Sequence, residues 1–309
     1  MSTPRARYIP QLLDTHAEDL AFLWAQRRTT LHSPEHTLRE FAHLSERIEA
    51  HVQGLLVAPP AVLRQRLEAA LGGGERDDVF AAALAALRCD EAATARWVIS
   101  EFSLASGPPL LGLRDALGQA AAAHVADDLR HALAHAKPAV AAAAAVALAN
   151  QKLLTPDAPG LARLLLDEDA AVCEQAWAAA WRADRQSPQS AVAARPYREA
   201  LARPEAAVRH EAWAGAAWSG LAQAIAPLRR AVADGDPVAL DWLCVLGTAD
   251  DTKTIGAATM ALPSPTRRCA ALARYGHPAV LPTLLRWMEG DDAVTAHAAG
   301  QAFTRITGA

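Results

Sequence analysis

One spacing constrains this chain more than its composition does. Eight times, a short break carrying Asp, Gly or Pro leads into a small apolar run. The first residues of those runs are Val79, Leu110, Val140, Val172, Val208, Val238, Thr266 and Val294. Successive separations are 31, 30, 32, 36, 30, 28 and 28 residues, with Thr266 the weakest member because it is not apolar. A near-constant period of this length is the signature of stacked two-helix units. The clearest copies run from Leu161 to Val172 and from Tyr197 to Val208. Each is followed by a segment rich in alanine and tryptophan, with Trp177 and Trp181 in one and Trp213 and Trp218 in the other. Apolar residues at i, i+3 and i+4 mark both halves of each unit as helices. The Asp or Pro in the break ends one helix and caps the next. A lone hairpin cannot bury its own apolar face, so the hairpins must stack.

Composition agrees with an all-α fold. Hydrophobic residues make up 52% of the 309, yet aromatics are 5%. Alanine fills the gap, as in Ala141 to Ala145, and it combines the best helix propensity with little bulk. Val, Ile and Thr are too sparse to supply a sheet. Residues 1–57 fall outside the period and read as a separate helical cap, with helices near 14–31 and 35–53 and a start signal at Ser33-Pro34. The expected architecture is therefore a cap over 1–57 followed by a solenoid of about eight hairpins over 58–309.

Charge and cysteine usage narrow the function. Thirty basic against 34 acidic residues leave a net charge of -4, without the basic excess of a nucleic-acid-coating protein. Cys89, Cys173, Cys244 and Cys269 are far apart, with no Cys-x-x-Cys pair, and read as reduced, mostly buried thiols. No apolar signal core follows the basic first residues. The longest apolar run, Ala139 to Ala149, has eleven residues, against the roughly 20 that a membrane span needs. These features lead us to expect a cytoplasmic protein with no membrane or nucleic-acid partner and no cofactor.

The pattern Leu-x-x-Leu-Leu-Asp-x-Asp-x-x-Val, followed by an alanine-rich helix, resembles the HEAT repeat in its short bacterial form. That resemblance covers roughly 61–309. It implies pairing between a turn Asp and an Arg just after the Val, a place that Arg209 alone occupies here. A second resemblance lies in His16 to Trp24, His36-Thr-Leu and Leu44 to Leu55, together with Tyr275-Gly-His-Pro-Ala and Ala299 to Gly308. These segments are similar to an uncharacterised proteobacterial HEAT-like family often encoded beside type VI secretion genes. The resemblance implies an accessory role in loading secreted effectors, or an immunity role against a toxin.

Several residue sets invite chemistry, and each has a plainer reading. His210-Glu211 resembles one of the four His-Glu pairs of HEAT-type di-iron hydroxylases, where imidazole and carboxylate suit iron. This chain has one such pair, which reads as a solvated helix face. His124, Asp127, Asp128, His131 and His135 share helical spacing that a surface zinc site would need, but they also read as an ordinary polar face. Five of the eleven histidines fall in the first 51 residues, and His36, His43 and His51 are spaced seven and eight apart. That places the three histidines on one helical face, for docking on a partner or on the first repeat, with Glu46, Arg47 and Glu49 nearby as salt-bridge partners. The tryptophans read mainly as core filling between alanines, with one or two indoles reaching the concave face as binding anchors; the alternative is an indole-lined groove, as in HEAT-like DNA glycosylases. Gly72 to Gly74 lacks the Lys-Ser/Thr of a phosphate loop, and no Gly-x-Ser-x-Gly is present.

The expectation that results is a non-catalytic scaffold that binds another protein: a secretion effector, a spike-associated protein or a toxin. Its concave contact residues would be Glu174, Gln175, Trp181, Arg209, His210, Glu211, Trp218, Asp241, Arg267, Arg268 and His297. The cap would add His36, His43, Glu46, Arg47 and His51. Immunity to a cognate toxin is the first alternative, and a HEAT-like glycosylase or metal hydroxylase the less favoured one.

Overall fold

The computed structural model describes residues 8–31, 33, 36–89, 91–120, 122–185, 195–220 and 224–308, without the side chains of 122–124. Among them every regular element is helical, and no strand occurs. The chain clusters into two compact units, Met1–Ala191 and Val192–Ala309. The first holds α1 (Pro10–Thr30) and α2 (Leu38–Leu55), then α3 (Pro60–Gly73), α4 (Arg76–Arg88), α5 (Ala92–Leu104) and α6 (Gly107–Leu117). It continues with α7 (Ala122–Ala132), α8 (Pro138–Asn150), α9 (Leu161–Leu164) and α10 (Ala170–Asp184). The second holds α11 (Tyr197–Leu201), α12 (Ala206–Trp218), α13 (Ile225–Ala233) and α14 (Pro237–Leu246). After these come α15 (Thr252–Met260), α16 (Pro265–Tyr275), α17 (Leu281–Met288) and α18 (Ala293–Thr307).

All eight periodic positions fall within the first four residues of an even-numbered helix, from Val79 in α4 to Val294 in α18. The breaks cap as expected. Asp169, Asp236 and Asp292 each accept hydrogen bonds from two backbone N–H groups of the helix that follows. Pro138, Pro237 and Pro265 occupy first helical positions, where a missing N–H costs nothing. Even-numbered helices pack on one another within each unit: α4 on α6, α6 on α8, α8 on α10, and likewise α12, α14, α16 and α18.

Alanine sets how closely they approach, because interaxial distance follows the side chains at the contact. All residues from Val140 to Ala149 are buried, as are all from Val79 to Leu87. A helix apolar on every side needs neighbours on every side. Gly112 marks the tightest crossing: a Cβ there would lie 2.4 Å from the Arg76 carbonyl oxygen and 2.9 Å from Val79 Cβ. In the last two even-numbered helices the periodic residue leaves the core, and Val294 is 63% exposed.

Three local expectations change. The second helix begins at Leu38, not near residue 35: Thr37 caps it in a box with Glu40, each side chain bonded to the other's backbone N–H. Ser33 instead contacts the His36 ring, and Pro34 lies outside the described residues. The first helices α9 and α11 shrink to four and five residues. After α9 the Asp167 carboxylate accepts from the Asp169 N–H (3.0 Å), a local bond that competes with helix continuation. After α11, Pro204 disfavours helical geometry at Arg203. Among the described residues no helix is long and apolar enough to cross a membrane.

Candidate interaction surfaces

The first unit is organised around a buried carboxylate. Asp115 sits in α6 beside Arg114, within the leucine-rich stretch Leu110 to Leu117, and is 6% exposed. Arg76 reaches its Oδ2 through Nη2 (2.6 Å) and Nε (3.0 Å). Arg114 holds Oδ1 through Nη2 (2.7 Å) and Nε (2.9 Å), and the Trp24 indole N–H adds a fifth contact at 3.4 Å. Burial pulls the Arg76 guanidinium below its usual pKa, and Asp115 opposes that shift. Arg114 continues to Gln175 Oε1 (2.9 Å), while Arg28 grips both oxygens of Asp77 (2.6 and 2.8 Å). Both oxygens of Asp115 are thus occupied by donors, so this carboxylate holds α1, α4 and α6 together. The adjacent charges Arg114-Asp115 inside a leucine run were the one signal of it in the sequence.

Other expected contact residues of this unit divide between surface and interior. Gln175 belongs to the Arg114 network and also donates to the Ala171 carbonyl (3.1 Å). Glu174 is half-buried. Trp181 is half-buried beneath two guanidinium groups, Arg182 at 4.6 Å and Arg185 at 5.8 Å from the ring centroid. His36 precedes α2 rather than sharing its face and is exposed. His43, Glu46 and Arg47 are also exposed, with His43 3.6 Å from Glu46.

His51 turns inward instead, its Nδ1 3.1 Å from His16 Nδ1 and 3.8 Å from Asp19. Burial lowers the His51 pKa; Asp19 works against that, and His16 and Arg47 reinforce it. The close fit of His16 depends on Gly54, where a Cβ would lie 2.5 Å from the imidazole Nε2.

In the second unit Arg209 is a clamp. It binds Asp236 at 2.7 Å and donates to the carbonyls of Arg203 (2.8 Å) and Pro204 (2.6 Å). Asp236 uses its other oxygen to cap α14, so one carboxylate serves both the cap and the contact between α12 and α14. Arg268 is half-buried and donates to the Leu262 carbonyl (2.7 Å). The outward residues are His210, whose ring centroid lies 5.6 Å from that of Trp242, together with Arg267, His297, and Asp241 paired with Arg274. Glu211 is half-buried. Trp177 and Trp213 are fully buried, as core filling requires, whereas Trp218 is 59% exposed.

Trp177 donates its indole N–H to the Leu165 carbonyl (3.1 Å). Its counterpart Trp213 has no partner for that N–H among the described residues, nor does Trp242.

The residues weighed as a surface zinc site are engaged locally, and His135 lies beyond the end of α7 at Ala132 rather than on the same helix. Asp127 pairs with Arg130 (2.6 Å), His131 Nδ1 lies 2.8 Å from the Asp127 carbonyl, and His135 accepts from the Lys137 N–H (3.0 Å). The His124 side chain lies outside the described ones. Among the described residues no group of three His, Cys, Asp or Glu is arranged to hold a metal ion. Cys173, Cys244 and Cys269 are buried and Cys89 partly so, all as free thiols. Burial pushes the Cys244 thiol up to about 12, which keeps it protonated at neutral pH. Comparison with family models, curated proteins and solved structures returns no match.

Proposed function

We propose that this chain is a HEAT-like helical-repeat scaffold that binds another protein in the cytoplasm. On its resemblance, the partner is an effector or spike-associated component of type VI secretion. The observation that carries the binding role is the outer row of the second unit. It sets an exposed indole, Trp218, on the same helix as His210, with Asp241, Arg267 and His297 on the following even-numbered helices. Tryptophan is among the residues enriched at binding anchors, and exposed charges of both signs on the same unit favour orientation over general stickiness. Solenoids offer such rows by construction, and the inter-hairpin Arg209–Asp236 pair supports that architecture.

The test is affinity purification of the tagged full chain from the cells that make it, alongside Trp218→Ala and His210→Ala/Arg267→Ala variants. A specific protein recovered with the parent chain and depleted with the variants is expected. Recovery of no protein, or of the same protein at unchanged yield with every variant, contradicts the proposal. A recovered toxin whose activity is suppressed would move the role to immunity.

A further inference from the structure

Two grooves open between successive first helices of the second unit. One, of about 470 Å³, lies between α13 and α15; its single charged lining residue, Asp236, is already bound to Arg209. The other, of about 490 Å³, lies between α15 and α17 over Leu272 of α16. It differs in three respects. Thr259 lines it, 1% exposed, and its hydroxyl has no hydrogen-bond partner among the described residues. Arg286 stands at its wall, bonded to the Thr283 hydroxyl (3.3 Å) and to no carboxylate among the described residues. Gly256 leaves its floor open, since a Cβ there would meet nothing within 4 Å. Met260, half in solvent, and Trp287 supply apolar walls, with the thioether able to adapt its shape.

We infer that the groove between α15 and α17 receives a short extended peptide segment of a protein partner, with a bulky aliphatic side chain beside an acidic one. This rests on the protein-binding reading above and adds a second, chemically defined contact. The apolar walls take the aliphatic side chain, and Arg286 complements the carboxylate. A plain alkyl chain would leave the Thr259 hydroxyl unpaired, whereas a peptide main chain carries carbonyl acceptors along its length. Thr252 to Met260 spans about 12 Å of helix, which matches roughly four residues of extended chain.

The probe is a fluorescein-labelled peptide containing Asp-Leu-Leu-Glu, titrated by fluorescence polarisation against the full chain, with Lys-Leu-Leu-Lys as its charge-reversed control. Saturable binding of the acidic peptide with Kd below about 1 mM is expected, with the basic peptide weaker on the order of tenfold. Gly256→Phe should abolish binding by filling the groove, and Thr259→Val should weaken it a few-fold. Arg286→Glu should reverse the preference between the two peptides. Circular dichroism and melting temperature show that each variant is folded.

No saturable binding, or binding that Gly256→Phe leaves intact, overturns the inference. The purification experiment separates it from the broader reading. If the Gly256→Phe chain recovers the partner protein in full while Trp218→Ala does not, the groove is excluded and the scaffold stands.

Discussion

The two units are built from the same kind of helical pair but differ in how completely they close. In the first, α4 and α8 are buried along nearly their whole length, and alanine lets their neighbours approach closely. A cavity beside α1 and α3 holds about 300 Å³ and is lined by both members of the Arg66–Asp14 pair. The atoms left unpaired there, on Arg28, Arg66 and Gln151, belong to groups that already bond through another atom. Among the described residues of the second unit the unpaired atoms are the sole polar side-chain atoms of Trp213, Trp242 and Thr259. Exposed apolar side chains do not separate the units: Phe22, Leu38 and Leu104 stand in solvent in the first as Met260, Leu285 and Val294 do in the second. The first unit spends its polar chemistry on itself, and the second leaves some of it over for another molecule.

The largest effect expected within this contrast is at Asp115. Asp115→Ala strands two arginines in a buried site and should cost about 3–5 kcal/mol, read as a lowered midpoint of denaturant unfolding. A loss under about 1 kcal/mol would mean that the network is no better than a surface ion pair. The same substitution at two glycines then compares the units directly. Gly112→Ala should destabilise by about 1–3 kcal/mol, because its methyl group meets the Arg76 carbonyl and Val79. Gly256→Ala meets open space in the middle of α15 and should stabilise by about 0.5–1 kcal/mol. Changes of the same sign would break the contrast.

The smallest effect is a pH dependence confined to the first unit. The folded-state pKa of His51 lies below its usual 6.5, so the unfolded chain binds the proton more readily. Stability from this group is fully present above the unfolded value and is lost as the pH falls below 6.5 through the folded one. His51→Gln should flatten the melting temperature between about pH 7 and pH 5; an unchanged slope would assign the effect elsewhere.

Much of the helical order was legible in the sequence, because one period locates the eight even-numbered helices from α4 to α18 and their Asp and Pro caps. That signal is local, built from capping chemistry and side-chain volume within about 30 residues. It failed where a local alternative competes, as at Thr37, which takes the capping role expected of Ser33. The polar network was not legible: Arg76 and Asp115 are 39 residues apart and Arg28 and Asp77 are 49. Which charges meet depends on how helices cross, which spacing alone does not encode. Arg209 does bind a turn aspartate, Asp236, as the HEAT resemblance implied, which turns it from the contact face also expected of it; His51, expected on a shared docking face, points at His16. The groove between α15 and α17 left no mark beyond Gly256, a residue that costs helix stability unless open space is what it provides.

The contrast between a closed and an open unit is tested most directly by native-state hydrogen exchange on the full chain, followed helix by helix as denaturant is raised. The backbone amides of Val79 to Leu87 and Val140 to Ala149 should exchange only through global unfolding, with a steep denaturant dependence. Those of α15 and α17 should exchange faster, on the order of tenfold or more, through local openings that denaturant barely alters. Equal protection and equal denaturant dependence in the two sets would contradict the account.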